Sequence, residues 1–200
     1  MSNQEADEAT ILWVERLHAL VDEAAAPVAK AHAARLKCAS GCADCCIDDL
    51  TVFEIEASVI RRHHADLLAN GLAGGCAFLG EDRSCRIYAH RPYVCRTQGL
   101  PLRWLEEDED EEEILESRDI CPLNLEGPPL EDLPADELWT LGPFEQRLAD
   151  RQAASTTSGS ASTPAHEPAP SRIALRDLFA KRCGAEQNTL EGPRRLPIVR

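Results

Sequence analysis

The sequence predicts a mainly α-helical single domain built around a small irregular or β-hairpin centre rich in cysteine. Three observations predict it. Apolar residues recur every three or four positions over residues 9–36 and again after Thr51, the period of one helix face. Eight of the nine cysteines lie between Cys38 and Cys121. Only nine of the 200 residues are aromatic, so the apolar core is modest and a second stabilising device would help a chain of this size.

Residues 9–36 read as the first helix, with Val14, Leu17, Val21, Ala24 and Val28 on one face and a kink or break at Pro27. The stretch C-A-S-G-C-A-D-C-C, residues 38–46, follows as an irregular loop. T-V-F-E at 51–54 reads as a capping box that opens a second helix, the Thr51 hydroxyl accepting from the Glu54 amide. Val52, Ile55, Val59, Ile60 and Leu67 form the stripe of that helix, and Asn70 and Gly71 its stop. Residues 76–88 read as two short extended pieces around a turn at Gly80, Glu81 and Asp82. Arg91 and Pro92 then open a short helix.

Residues 106–113 are eight uninterrupted acids and read as a solvated surface loop. Residues 134–150 offer another helix, with Leu138, Leu141 and Leu148 for burial and a break at Gly142 and Pro143. The Ala, Ser, Thr, Pro and Gly composition from about 152 to 171 marks a linker without core-forming residues. An amphipathic helix follows, with Ile173, Leu175, Leu178 and Phe179 docking back onto the domain. The expected division is therefore a cysteine-cluster domain at 1–150 with its motif core at 38–121, a low-complexity linker at 151–171, and a short helix and tail at 172–200.

The net charge of −14 argues against a nucleic-acid-binding surface, which needs a basic stripe, and against anionic membranes. No run of eighteen apolar residues exists, and the acidic N-terminus M-S-N-Q-E-A-D-E-A-T lacks a basic, then apolar leader. The expected location is the cytoplasm, where thiols stay reduced. There a cysteine-rich chain points to metal or redox chemistry rather than to disulfides.

Structural cysteines are buried singly among apolar neighbours. These sit in turns beside Gly, Asp, Ser and Arg, a setting that favours ligation. Cys42 and Cys45 have the C-x2-C spacing in which one turn aims two sulfurs at one ion, with Cys38 as a third donor. Adjacent Cys45 and Cys46 point about 100° apart in a helix and to opposite faces in a strand. Cys46 therefore serves a second ion, bridges two ions, or stands behind the first. Eight sulfurs fill two four-cysteine sites or one larger cluster. Arg83, Arg86, Arg91, Arg96 and Arg103 face only Glu81 and Asp82 within residues 76–103. Their guanidinium groups would lower nearby thiol pKa values and balance an anionic thiolate site; the plainer alternative is pairing with surface acids.

The cysteine pattern resembles a known family. C-A-S-G-C-A-D-C-C, then a capped helix, then C-A-F-L-G-E-D-R-S-C-R-I-Y-A-H-R-P-Y-V-C-R, is similar to the CxxCxxCC cysteine-cluster family, also called YkgJ-like. Its members show G-C-x-x-C-C followed by C-P-F-L, C-x-I-Y and R-P-x-x-C-R. Ala77 replaces the proline after the third-block cysteine, and the first spacing is three residues rather than two; neither change removes a sulfur. The match runs over 38–96, with C-P-L-N at Cys121 an outlying member. The resemblance implies a zinc- or iron-chelating domain whose chelating set is Cys38, Cys42, Cys45, Cys46, Cys76, Cys85 and Cys95. Cys121 joins the candidate set as that outlier. Related domains occur within larger enzymes, flagellin lysine methylases among them.

The expected fold is thus a metal-stabilised single domain with a disordered linker and tail, and the expected partner is a metal ion, zinc or iron. The spacing does not reproduce the ferredoxin cysteine runs, although all-cysteine ligation also suits an iron–sulfur cluster. One alternative is an iron–sulfur redox or iron-dependent enzyme, for which no catalytic residue is singled out. Another is a metal-free thiol redox sensor with Cys45 and Cys46 as a strained disulfide. Tyr88, Arg91 and Pro92 read as scaffolding, His63 as a core or boundary residue, His64 and His90 as exposed, and Cys183 as a free thiol.

Overall fold

The computed structural model describes residues 6–48, 50–69, 75–107, 114–157 and 172–179. Cys183, most of the acidic run, Asn70 with Gly71, and the linker after 157 lie outside the described residues. Helices dominate the fold, and two small sheets accompany them. Among the described residues no helix is long and apolar enough to cross a membrane.

Helix α1, Glu8–Ala31, starts where Asp7 accepts from the Thr10 amide at 2.7 Å. It continues through Pro27 as one element and ends at Ala31, five residues short of the expected end. Its buried face is Ile11, Val14, Leu17, Val21, Ala25 and Val28. Ala25 takes the place expected of Ala24, which is exposed, because a step of four from Val21 keeps the stripe in line with Val28.

Thr51 does not cap a helix. Residues Thr51–Phe53 form strand β1, and helix α2 spans Glu54–His64. The carboxylate that reaches back is that of Glu56, which accepts from the Phe53 amide at 3.3 Å. Strand β1 pairs antiparallel with the last described strand, which brings Thr51 opposite Ala174. That tertiary pairing is what displaces the local capping preference.

After a single turn of helix α3, Tyr93–Arg96, strands β2, Leu102–Glu107, and β3, Ile114–Asp119, form an antiparallel pair joined through the acidic run. The two-residue strand β4, Trp139–Thr140, adds parallel to β2. The helix expected over 134–150 is thus replaced by a 3-10 turn, β4 and helix α4, Pro143–Thr157. The first residues assigned to the linker belong to α4, and the Gln152 side chain accepts from the Ile55 amide at 3.0 Å. Strand β5, Arg172–Ala174, and a 3-10 turn replace the expected C-terminal helix. Leu175, Leu178 and Phe179 are nonetheless buried.

Two apolar clusters hold these elements. One joins α1, α2 and α4 through Val14, Leu17, Val21, Val59 and Leu148, with Tyr93 and Trp139. The other packs Phe78, Ile87, Ile60 and Phe179 against Cys46 and Cys85. Between helices, buried Glu56 accepts from the Tyr93 amide at 2.7 Å and lies 2.9 Å from His18 Nε2. This carboxylate ties α1, α2 and α3 together beneath the cysteine loops.

Candidate metal centre

The cysteines are carried on tight turns between those elements. In the loop after α1, the Cys42 amide donates to Ala39 O at 3.0 Å and the Cys46 amide to Ala43 O at 2.9 Å. The next block is tied to the first where the Cys76 amide donates to Cys46 O at 3.1 Å. A single antiparallel bridge, Leu79 opposite Cys85, closes a minimal hairpin around the turn expected at 80–82. Cys95 lies in α3, whose position is set by the Glu56–Tyr93 contact. Cys121 opens a 3-10 turn in which the Asn124 amide donates to Cys121 O at 2.8 Å.

Seven cysteines, Cys38, Cys42, Cys45, Cys46, Cys76, Cys85 and Cys95, line one cavity of about 760 Å³. Cys121 is not on that lining, but its thiol feels the charges of Cys38, Cys42 and Cys45. All eight are free thiols; Cys76 is buried, Cys38 exposed and the others half-buried. Cys45 acts electrostatically on both ends of the arrangement. It acts on Cys85 and Cys95 on one side and on Cys121 on the other.

The thiols divide electrostatically. Cys46 donates a hydrogen bond to the Cys45 sulfur, which lowers Cys45 to about 6 and pushes Cys46 up. Burial raises Cys76 and Cys85. Cys95 is pushed up to about 12, by burial first and then by the charges of Cys76, Cys85 and Cys45. Without a cation, one member of the set ionises readily and its neighbours resist. A bound cation would reverse that order, since thiolates are the ligating form.

The arginines divide as well. Arg83 donates to Gly41 O and Asp44, Arg96 to Asp22 at 2.6 Å and to two carbonyls, and Arg103 to Glu116 at 3.0 Å. For these three the plainer reading, pairing with acids, describes the structure. Arg91 lines the cavity beside Arg83 and Arg96 and lies 3.9 Å from Asp22, but it is also stacked 4.0 Å over the Tyr88 ring, and its charge opposes the burial that raises Cys85. Tyr88 itself is 66% exposed, so it borders the cavity rather than packing under the cysteines.

Sequence reasoning missed Asn124 and Gly99. Asn124 is fully buried; its amide nitrogen donates to Gly99 O at 2.8 Å and approaches Cys38 Sγ at 3.6 Å, while its oxygen accepts from the Lys37 amide at 2.8 Å. Gly99, at φ +90°, has no room for a side chain, because a Cβ there would overlap Cys38 Sγ. The C-P-L-N motif carries the one signal for Asn124, and no motif marks Gly99. The histidines also depart from expectation: His63 is exposed and bonded to Glu15, and His64 and His90 are half-buried and bonded to each other.

The donor chemistry fits a soft or borderline metal, since eight reduced thiols from four chain segments are gathered in one region. Their spacing does not close on an ion as they stand: among the described residues no group of three or more His, Cys, Asp or Glu side chains is arranged to hold one. Residues 37–122 match the model of the CxxCxxCC family, described as "Putative zinc- or iron-chelating domain". No curated protein and no solved structure matches the chain.

Proposed function

We propose, from the match of residues 37–122 to the CxxCxxCC family, that this chain is a metal-binding protein. Cys38, Cys42, Cys45, Cys46, Cys76, Cys85, Cys95 and Cys121 are its thiolate ligands. The metal is zinc or iron, the latter as an ion or an iron–sulfur cluster. The observation that carries the reading is the convergence of seven cysteines from three chain segments on one cavity. Eight sulfurs exceed the four of a tetrahedral ion, so the set serves two ions or a polynuclear cluster. Cys45, which feels both halves of the set, is the natural bridge. Binding draws the sulfurs inward and cross-links the loop after α1, the hairpin, α3 and the Cys121 turn. Such coupling of metal to folding is usual for structural thiolate sites.

A second reading rests on size. A cavity of about 760 Å³ falls within the range of small-molecule sites, and Ala25, Ala26 and Ala29 of α1 leave its wall low. This favours an iron-dependent or iron–sulfur enzyme whose substrate enters beside the metal.

The test is anaerobic purification from unsupplemented cells, with metal analysis and an absorption spectrum on one sample. Colourless protein with zinc supports a structural or storage module, and a brown sample with broad visible absorption supports iron–sulfur chemistry. Cys42→Ser and Cys85→Ser lower metal content and stability together, whereas Cys183→Ser changes neither. Equal metal content in all three variants refutes the ligand assignment. Metal-free protein with a reversible Cys45–Cys46 disulfide would put a thiol redox sensor in its place.

A further inference from the structure

Three histidines meet away from the cysteine cavity, and none of them lines it. His63 and His64 occupy the last turn of α2, and His90 the 3-10 turn of residues 88–90. His64 Nε2 lies 3.0 Å from His90 Nδ1. The His63 ring stacks on His90 at 4.0 Å with 5° between planes, and His63 Nε2 is held by Glu15 of α1 at 2.6 Å.

We infer that His64 and His90 form a second metal site, chemically distinct from the thiols, for a borderline divalent ion. The argument is geometric. A hydrogen bond of 3.0 Å already brings His64 Nε2 and His90 Nδ1 together, and a rearrangement of these half-buried rings that releases the proton between them and turns both lone pairs to one point puts two imidazole donors on a shared ion. Imidazole donors suit nickel(II), copper(II) and zinc alike, and nickel(II) serves as the probe because its absorption tells nitrogen from thiolate ligation.

The surroundings favour a cation with one exception. His63, fixed by Glu15, holds the His90 ring by stacking. The C-terminal end of α2 presents the negative end of its dipole. Asp66 and Glu15 add negative charge near His64 and His90, whereas Arg96 opposes them at His90. Burial and the neighbouring imidazoles lower both His64 and His90, so the neutral, ligating form prevails at neutral pH. Because no third protein donor is arranged there, water fills the remaining positions and the site stays open.

The test titrates nickel(II) into the protein as purified and compares wild type with His64→Ala and His90→Ala, by calorimetry and absorption. The expected result is one wild-type equivalent with weak ligand-field bands and no thiolate charge-transfer absorption, weakened at least tenfold in each variant. Helix content and the metal retained on purification should be unchanged in both. His64→Asn, which keeps a polar side chain, should behave like His64→Ala and excludes misfolding as the cause. Absence of this equivalent in wild type, or its persistence in both variants, overturns the inference. The readout is independent of the thiols: nickel bound there announces itself by charge transfer, and that signal survives both histidine variants.

Discussion

Asn124→Ala probes whether one amide holds the outlying cysteine segment to the rest of the centre. Asn124 is fully buried and joins three stretches of chain: Lys37 beside the first cysteine, Gly99 after α3, and the turn opened by Cys121. Its two 2.8 Å bonds to backbone groups contribute about 1 kcal/mol each, and each group left buried without a partner costs about 1–3 kcal/mol. A water entering the vacated space satisfies one of them. The net loss is then about 2–4 kcal/mol, a large fraction of the stability of a small domain. Cys38 also loses the donor that faces its sulfur at 3.6 Å, so metal should escape faster to a chelator. Urea unfolding followed by circular dichroism reads the first effect, and chelator competition on the as-purified protein reads the second. A stability change within about 0.5 kcal/mol, the range of ordinary surface substitutions, would refute the claim that this amide unites the segments.

In metal-free protein, Cys45 is protonated below about 6 and a thiolate above it. Iodoacetamide should therefore modify one site with a rate that rises through pH 6, and Cys46→Ala should move that midpoint up; a wild-type midpoint of about 8.5, the free-thiol value, contradicts the hydrogen-bond assignment. Glu56→Ala strands the Tyr93 and Phe53 amides and His18, and is expected to cost about 3 kcal/mol or more in chemical unfolding. Unchanged unfolding in that variant would mean that this carboxylate does not anchor α3. Phe179→Ala removes a buried ring that meets Phe78 at 4.8 Å and should lose about 3 kcal/mol; a neutral result would detach the C-terminal segment from the domain.

What was legible in the sequence, and what was not, follows from the range of the interactions. The face of α1 was legible because helical periodicity is local, apart from the one-residue exchange of Ala25 for Ala24. Strands β2 and β3 were not, because the exposure of β3 runs from exposed to half-buried without alternating, so no period of two marks it. Strand β1 was read as helix because its partner lies about 120 residues away. The same partnership turned the expected C-terminal helix into β5. Proximity of the cysteines was legible because their spacing is itself the signal. The supporting groups were not: Asn124 and Gly99 meet Cys38 only after the chain has folded, and the histidine trio draws on α1, α2 and the 88–90 turn.

The unequal support of the cysteines bears on how such a centre would assemble. Cys76 and Cys85 lie against the Phe78 cluster and Cys95 on a turn fixed by Glu56, so apolar packing and a buried carboxylate position these three before any ion arrives. Cys38 and Cys42 depend on a short loop with a left-handed glycine, Gly41 at φ +86°, and Cys38 is exposed. Desolvation makes the thiols of the packed side costly to ionise, so an arriving cation would meet the readily ionised Cys45 first and then displace the protons of the packed thiols. The exposed loop sulfurs would close over it from the solvent side. Cys45, lowered to about 6 and acting on thiols of both groups, is the one thiol placed to take part in both steps.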